Sequence, residues 1–184
     1  MSAVIWACDP GADGAFVRMQ DLANWRVFLT RNGYRKAYDC MLVDQCESQR
    51  LDIYAVFEDL NMRFGDLKKS KSISEMLKNA GRGLCCFELA TIAVETVPPT
   101  TWQYPFGLVG YEYKERKKLA VKLARYYFGD ATLADADAKL IALWKYWQIN
   151  GIEPPRQPKD VITKLTITKE VNRYGNGQCI KPDS

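Results

Sequence analysis

The segment Ile53-Tyr54-Ala55-Val56-Phe57 is an apolar run without polar alternation, too short to be a helix. Such a run must be covered on both faces, the condition of a central strand in a helix-flanked, mostly parallel sheet. A second run, Ala3 to Cys8, opens the chain, and the two runs end in acids, Glu58 and Asp9. Asp9-Pro10-Gly11 stops the first run and Gly14 to Met19 resumes it, which predicts a hairpin. A third strand is expected from Trp25 to Thr30, and a helix from Arg35 to Arg50 with Tyr38, Met41, Leu42 and Cys46 on one side. Beyond the central strand, residues 61–72 are polar and basic and predict a loop. Ser72 followed by Glu75 forms a capping-box pattern that opens a helix from Ile73 to Ala90. Gly81 and Gly83 weaken that helix by about 1 kcal/mol each, so close packing against a neighbour is expected there.

Thr91 to Val97 predicts a strand stopped by Pro98-Pro99, and Tyr113 to Phe128 a strongly basic helix. Thr132 with Asp135 is a second capping box, opening a helix to Ile149. From Gly151 the chain turns Pro-rich, with one lone alternating stretch, Val161 to Glu170. The order βββ-α-β-α-β-α-α predicts an α/β domain over 1–150 whose five-stranded mixed sheet has three antiparallel strands followed by parallel ones. Residues 151–184 are expected to form a C-terminal extension. A chain of 184 residues, 47% of them hydrophobic, is long enough to bury one substantial core.

The chain has no histidine. That excludes Ser-His-Asp and Cys-His nucleophiles, His-metal finger nucleases and most zinc hydrolase sites, each of which needs an imidazole. The six cysteines, Cys8, Cys40, Cys46, Cys85, Cys86 and Cys179, include no CxxC pair. They are expected to be reduced, mostly buried thiols of an intracellular, cytoplasmic protein. The N-terminus lacks a charged segment and an apolar core long enough for secretion, and no apolar run approaches membrane-spanning length, so no membrane partner is expected.

Three acids stand in unusual contexts. Asp9 and Glu58 sit at the C-terminal ends of apolar strands, where open α/β sheets place their sites. Asp59 is the rival of Glu58, but alternation sends successive side chains to opposite faces, so only one of them can enter a given pocket. Asp137 falls on the face of its helix that carries Leu133, Leu140 and Trp144, so its carboxylate is directed inward. An unpaired buried carboxylate is costly, and a metal ion is one of the few partners that makes it tolerable. Asp135 is accounted for as the capping acid of Thr132. Hard oxygen ligands suit Mg²⁺, or Mn²⁺ in its place, and two such ions about 3.5–4 Å apart support phosphodiester hydrolysis without histidine. The competing use of a strand-tip Asp with glycines, phosphate cradling in an actin-type ATPase, needs two such domains and a longer chain.

Charge is unevenly distributed. Residues 1–59 carry 6 basic and 9 acidic side chains, residues 60–129 carry 12 and 6, and residues 130–184 carry 8 and 7. The middle third therefore holds an excess of +6, which suits a polyanion.

These residues resemble, in order and spacing, the RuvC-type Holliday junction resolvases of the RNase H-like superfamily, in particular the compact kind found in phages. The matching pieces are Ile5-Trp-Ala-Cys-Asp9-Pro-Gly-Ala-Asp-Gly14, the strand ending in Glu58, and the Gly81-Arg-Gly83 helix. They continue with Val97-Pro-Pro-Thr-Thr-Trp102, the basic helix from Lys114, and Ala136-Asp137-Ala138, so that the match spans residues 4 to about 147. The resemblance implies an RNase H-like fold, a homodimer, and paired, symmetric, metal-dependent nicks in four-way junctions and related branched DNA that leave 5′-phosphates. It implies Asp9, Glu58 and Asp137 as the metal-binding acids. The family's further acid one turn before the last Asp has no counterpart, since Leu133 and Ala134 stand there, which leaves Asp130 or Asp135 to substitute, or neither. The aromatic that the family places just behind its Glu is absent as well, with Phe64 the available substitute. Arg63, Lys68, Lys69 and Lys71 beside Glu58, and Lys114, Arg116, Lys117, Lys118 and Lys122 on the basic helix, are expected to contact phosphates. Of these, Lys117 or Lys118 is expected to stabilise charge in the transition state. Two other functions fit the same residues: a related nuclease acting on forks, flaps or RNA–DNA hybrids, and a junction-binding protein that no longer cleaves.

Overall fold

The computed structural model describes residues 2–60 and 70–154. Its elements are β1 (Ser2–Asp9), β2 (Ala15–Met19), β3 (Trp25–Leu29), α1 (Tyr34–Cys46), β4 (Leu51–Glu58) and α2 (Ser70–Leu89), then β5 (Val94–Val97), α3 (Pro99–Gln103), α4 (Tyr113–Phe128) and α5 (Ala136–Ile149). The strands form one sheet in the order β3-β2-β1-β4-β5. β1 pairs antiparallel with β2 and β2 with β3, whereas β1 and β4, and β4 and β5, are parallel. This is the mixed sheet expected from the sequence.

Alternation along the strands divides the interior into two cores. Ile5, Ala7, Ala15, Val17 and Val56 pack with α3, α4 and α5. Val4, Trp6, Cys8, Phe16, Ala55 and Phe57 pack on the opposite face against Ala37 and Met41 of α1 and Phe87 of α2. The apolar run of β4 is thus covered on both faces, as its composition requires. α1 is pinned to the sheet by the buried carboxylate of Asp44, which accepts from Trp6 Nε1 at 2.8 Å and pairs with Arg18 at 2.6 Å.

Several local expectations are corrected. Ser72 lies inside the first turn of α2 and does not cap it, because the helix already runs from Ser70. α2 ends in a left-handed turn at Thr91 (φ 55°), with Ile92 N–H bonded to Phe87 C=O, so β5 starts only at Val94. α1 stops at Cys46, and residues 47–50 form turns. Pro98-Pro99 does more than stop β5: Pro99 takes the first position of α3, where a missing N–H costs nothing. Leu133 precedes α5 and is exposed, whereas Leu140 and Trp144 are buried with Asp137. Among the described cysteines, all free, only Cys8 is buried; Cys46 and Cys85 are exposed, because both lie on helix surfaces turned from the sheet. Gly83 does meet the sheet, since a Cβ there would come within 2.9 Å of Phe57, but Gly81 faces open space. The stretch Val161 to Glu170 lies outside the described residues.

Candidate active site

Parallel pairing of β1 with β4 aligns Cys8 with Phe57 and brings the next residues, Asp9 and Glu58, to the same sheet end. Both continue the strand positions of Ala7 and Val56, so both open toward α4 and α5. Asp59, one residue on, is exposed. The turn after Asp9 is tightly built. Gly11 N–H donates to Asp9 Oδ1 at 2.8 Å, and Gly14 N–H donates to Gly11 C=O at 3.0 Å. A side chain at Gly14 would place its Cβ 2.0 Å from the Asp9 carbonyl oxygen, so only glycine fits. From α2, the buried Asn79 donates to the Gly11 and Ala12 carbonyls at 2.9 and 3.3 Å.

Glu58 is held from the other side. The short α3 presents the buried Trp102, whose Nε1 donates to Glu58 Oε1 at 3.0 Å. Asp137, in the first turn of α5, is 2% exposed. Lys117 Nζ from α4 donates to its Oδ2 at 2.6 Å and also lies 3.8 Å from Asp9 Oδ2. Arg116 Nη1 stands 3.7 Å from the same Asp137 oxygen. Asp137 Oδ1 and Arg116 Nη1 are buried without a hydrogen-bond partner.

These acids differ from other buried acids in their charge balance. Five carboxylates are buried among the described residues: Asp9, Asp44, Glu58, Asp135 and Asp137. Asp44 has Arg18, and Asp135 has Lys139 at 3.1 Å. The remaining three share Lys117, with Arg116 beyond it. Burial first, and the neighbouring charges after it, displace Glu58 and Asp137 from their ordinary protonation ranges. Burial, followed by the charges of Asp9 and Asp137, pushes Glu58 well above the usual carboxylate range. Burial also raises Asp137, against the opposing pull of Lys117. Burial acts to lower Lys117, but Asp9 and Asp137 together outweigh it, and the ammonium is held more firmly than in water.

The donor set fits a hard divalent cation: carboxylate oxygens, one of them lacking any partner, in a buried site of negative excess. As arranged around Lys117, however, no three His, Cys, Asp or Glu side chains among the described residues are gathered closely enough to hold a metal ion.

Of the two lysines expected near the reaction, Lys117 enters the site and Lys118 is exposed. Lys114, Lys118 and Lys122 recur every four residues and form an exposed stripe along α4. Asp135 is not brought to the other acids. Its Oδ1 accepts from the Thr132 N–H and hydroxyl at 2.6 and 2.8 Å within the turn that precedes α5, while Oδ2 faces Lys139. The expected capping box therefore does not open the helix, which starts at Ala136 with Asp135 at its N-cap and no side-chain cap bond. The exposed Asp130 also bonds Lys139, at 2.8 Å. Arg63, Phe64, Lys68 and Lys69 lie outside the described residues, as does the side chain of Lys71 in α2. Sequence reasoning expected Arg116 to contact phosphates and not to stand beside Asp137, quoted Trp102 only within the Val97–Trp102 piece of the resemblance, and assigned no role to Asn79. The aromatic behind a strand-stopping Pro-Pro signals Trp102, but not that its N–H meets Glu58; Asn79 carries no signal in the sequence.

The sheet order and the converging acids define the class: an α/β protein of RuvC-like, RNase H-like fold with a buried carboxylate cluster. No protein-family profile and no curated protein matches the sequence. Among solved structures, Thermus thermophilus RuvC in complex with a Holliday junction substrate superposes with a TM-score of 0.50 at 13% identity, covering 83% of this chain and 99% of that one. A second T. thermophilus RuvC structure covers the same shares at 15% identity with a TM-score of 0.43. The likeness to the first establishes the fold.

Proposed function

We propose that this protein is a divalent-metal-dependent endonuclease that resolves four-way DNA junctions and related branched DNA, acting as a homodimer that makes paired, symmetric nicks. The observation that carries this reading is the unbalanced trio of Asp9, Glu58 and Asp137 at the C-terminal end of β1 and β4, on a fold shared with a RuvC bound to a Holliday junction. Asp9, Glu58 and Asp137 would hold Mg²⁺ or Mn²⁺, two ions in the reading favoured by phosphodiester chemistry. When bound, the metal would supply water activation and charge stabilisation at the leaving 3′-oxygen, so that the product keeps its 5′-phosphate.

The chain's own groups have separable tasks. Gly11 N–H and Trp102 Nε1 each take one oxygen of Asp9 and Glu58, fixing the carboxylates while leaving each a second oxygen. Lys117 and Arg116 are the cations nearest the acids and are placed to meet a phosphodiester entering the site. Lys114, Lys118 and Lys122, exposed along the outer side of α4, suit contacts with the DNA backbone that position it without reading its sequence.

The test is cleavage of a synthetic mobile four-way junction, a fork and an RNA–DNA hybrid, with Mg²⁺ or EDTA, by the wild type and Asp9→Asn. Symmetric junction nicks that need Mg²⁺, with binding but no cutting by the variant, are expected. Cutting in EDTA would overturn the metal mechanism. Preference for the fork or the hybrid would overturn the junction assignment, and binding without cleavage under every metal condition would make the protein a junction binder.

A further inference from the structure

Lys117 is the unusual member of the site. Its ammonium lies between two carboxylates, 2.6 Å from Asp137 Oδ2 and 3.8 Å from Asp9 Oδ2, a position that meeting a phosphate does not by itself require. We propose that Lys117 is the resident counter-ion of the cluster, holding the position between Asp9 and Asp137 that a divalent cation requires and yielding it when that cation binds. This deepens the proposed function and rests on it.

Three observations carry the inference. First, without Lys117 the acids of β1, β4 and α5 would be buried with only Arg116 nearby, at 3.7 Å from one oxygen. Uncompensated buried charge of that kind is strongly destabilising, so the metal-free fold needs an internal cation. Second, the acids do not already form a closed cage. No group of three His, Cys, Asp or Glu side chains among the described residues is arranged to hold a metal ion, and Asp137 Oδ1 has no hydrogen-bond partner. A site awaiting a cation in its final arrangement would hold its oxygens together; one propped open by an ammonium would not. Third, Lys117 has somewhere to go. Its side chain is 20% exposed, its stem is flexible, and the ring of the exposed Tyr113, which the Arg116 guanidinium approaches at 5.4 Å, also lies 6.0 Å from its Nζ and attracts it by cation–π interaction. Displaced toward that ring, the ammonium stays beside the site.

An internal cation and an external one at the same carboxylates must compete, so removing the first strengthens binding of the second. Calorimetric titration with Mg²⁺ of the wild type, Lys117→Met and the exposed control Lys118→Met is the test. Lys117→Met is expected to bind Mg²⁺ at least about fivefold tighter than the wild type, and Lys118→Met to match the wild type. The melting temperature of metal-free Lys117→Met should fall by about 5 °C or more and recover in saturating Mg²⁺. Because that variant can fail to fold, the wild type provides a second readout. In ¹⁵N-lysine-labelled protein, the Lys117 Nζ resonance, assigned by its loss in Lys117→Arg, should be protected from exchange without metal and shift on addition of Mg²⁺. Equal or weaker Mg²⁺ binding by Lys117→Met, or an unmoved Lys117 resonance in Mg²⁺-saturated protein, would overturn the inference while leaving the metal-dependent reading intact. Absence of Mg²⁺ binding to the wild type would overturn both.

Discussion

At the scale of single residues, one indole N–H opposes the burial that drives Glu58 toward its neutral form. Burial and the neighbouring charges of Asp9 and Asp137 favour its neutral form, and the bond from Trp102 opposes them. Trp102→Phe removes the donor and part of a fully buried ring, at a combined cost of about 1–3 kcal/mol. Glu58 then rises further, so the acidic limb of the pH–rate profile should move to higher pH, and lost activity should be recovered by raising the pH. A profile that scales down without moving would mean that Trp102 only packs. This residue also marks where sequence reasoning stops. Asp9 and Glu58 were legible because a strand-end acid after an apolar run is anomalous in itself. Trp102 was legible only as the end of the Val97–Trp102 motif; its bond to Glu58 was not, since an aromatic behind a turn is ordinary until its partner is known. Lys117 and Lys118 were likewise inseparable from sequence: adjacent helix positions differ by about 100°, and only the packing of α4 decides which one turns inward.

At the scale of elements, α2 offers a paired test in which two glycines of one helix give opposite results. At Gly81 an added Cβ meets nothing within 4 Å, so Gly81→Ala should stabilise by about 0.5–1 kcal/mol through helix propensity. At Gly83 the same methyl group would press on Phe57 at 2.9 Å and Cys8 at 3.4 Å, the residues that precede Glu58 and Asp9. Gly83→Ala should therefore destabilise by about 1–3 kcal/mol and lower cleavage as well, since the displaced strand ends carry the acids. Denaturant melts of both variants, with junction cleavage assayed alongside, check the pair. Element identity was largely readable, because the strands and the longer helices impose their period on the sequence. α3 was not, for five residues make little more than one turn and leave no period to detect.

At the scale of the molecule, the buried negative excess ties stability to pH. Glu58 and Asp137 are raised in the folded protein relative to the unfolded chain. Their contribution is fully present below the unfolded carboxylate range and is lost as pH rises through the folded values. Glu58→Gln, which keeps an acceptor for Trp102, should accordingly melt higher than the metal-free wild type at pH 8, with the advantage shrinking toward pH 5. A constant difference across that range would mean that Glu58 does not titrate differently in the fold. The sheet order itself was legible, from three alternating or apolar runs followed by strand–helix units, because parallel strands need crossover helices. What joins these levels is the origin of the site's parts. The acids come from β1, β4 and α5, the lysine from α4 and the indole from α3, and none of these segments meets the others until sheet and helices have docked. Contacts of such large sequence separation form late, after the loop-closure entropy between them has been overcome. A nascent, truncated or locally unfolded chain therefore carries no assembled carboxylate cluster, and the site is acquired and lost with the cooperative fold as a whole.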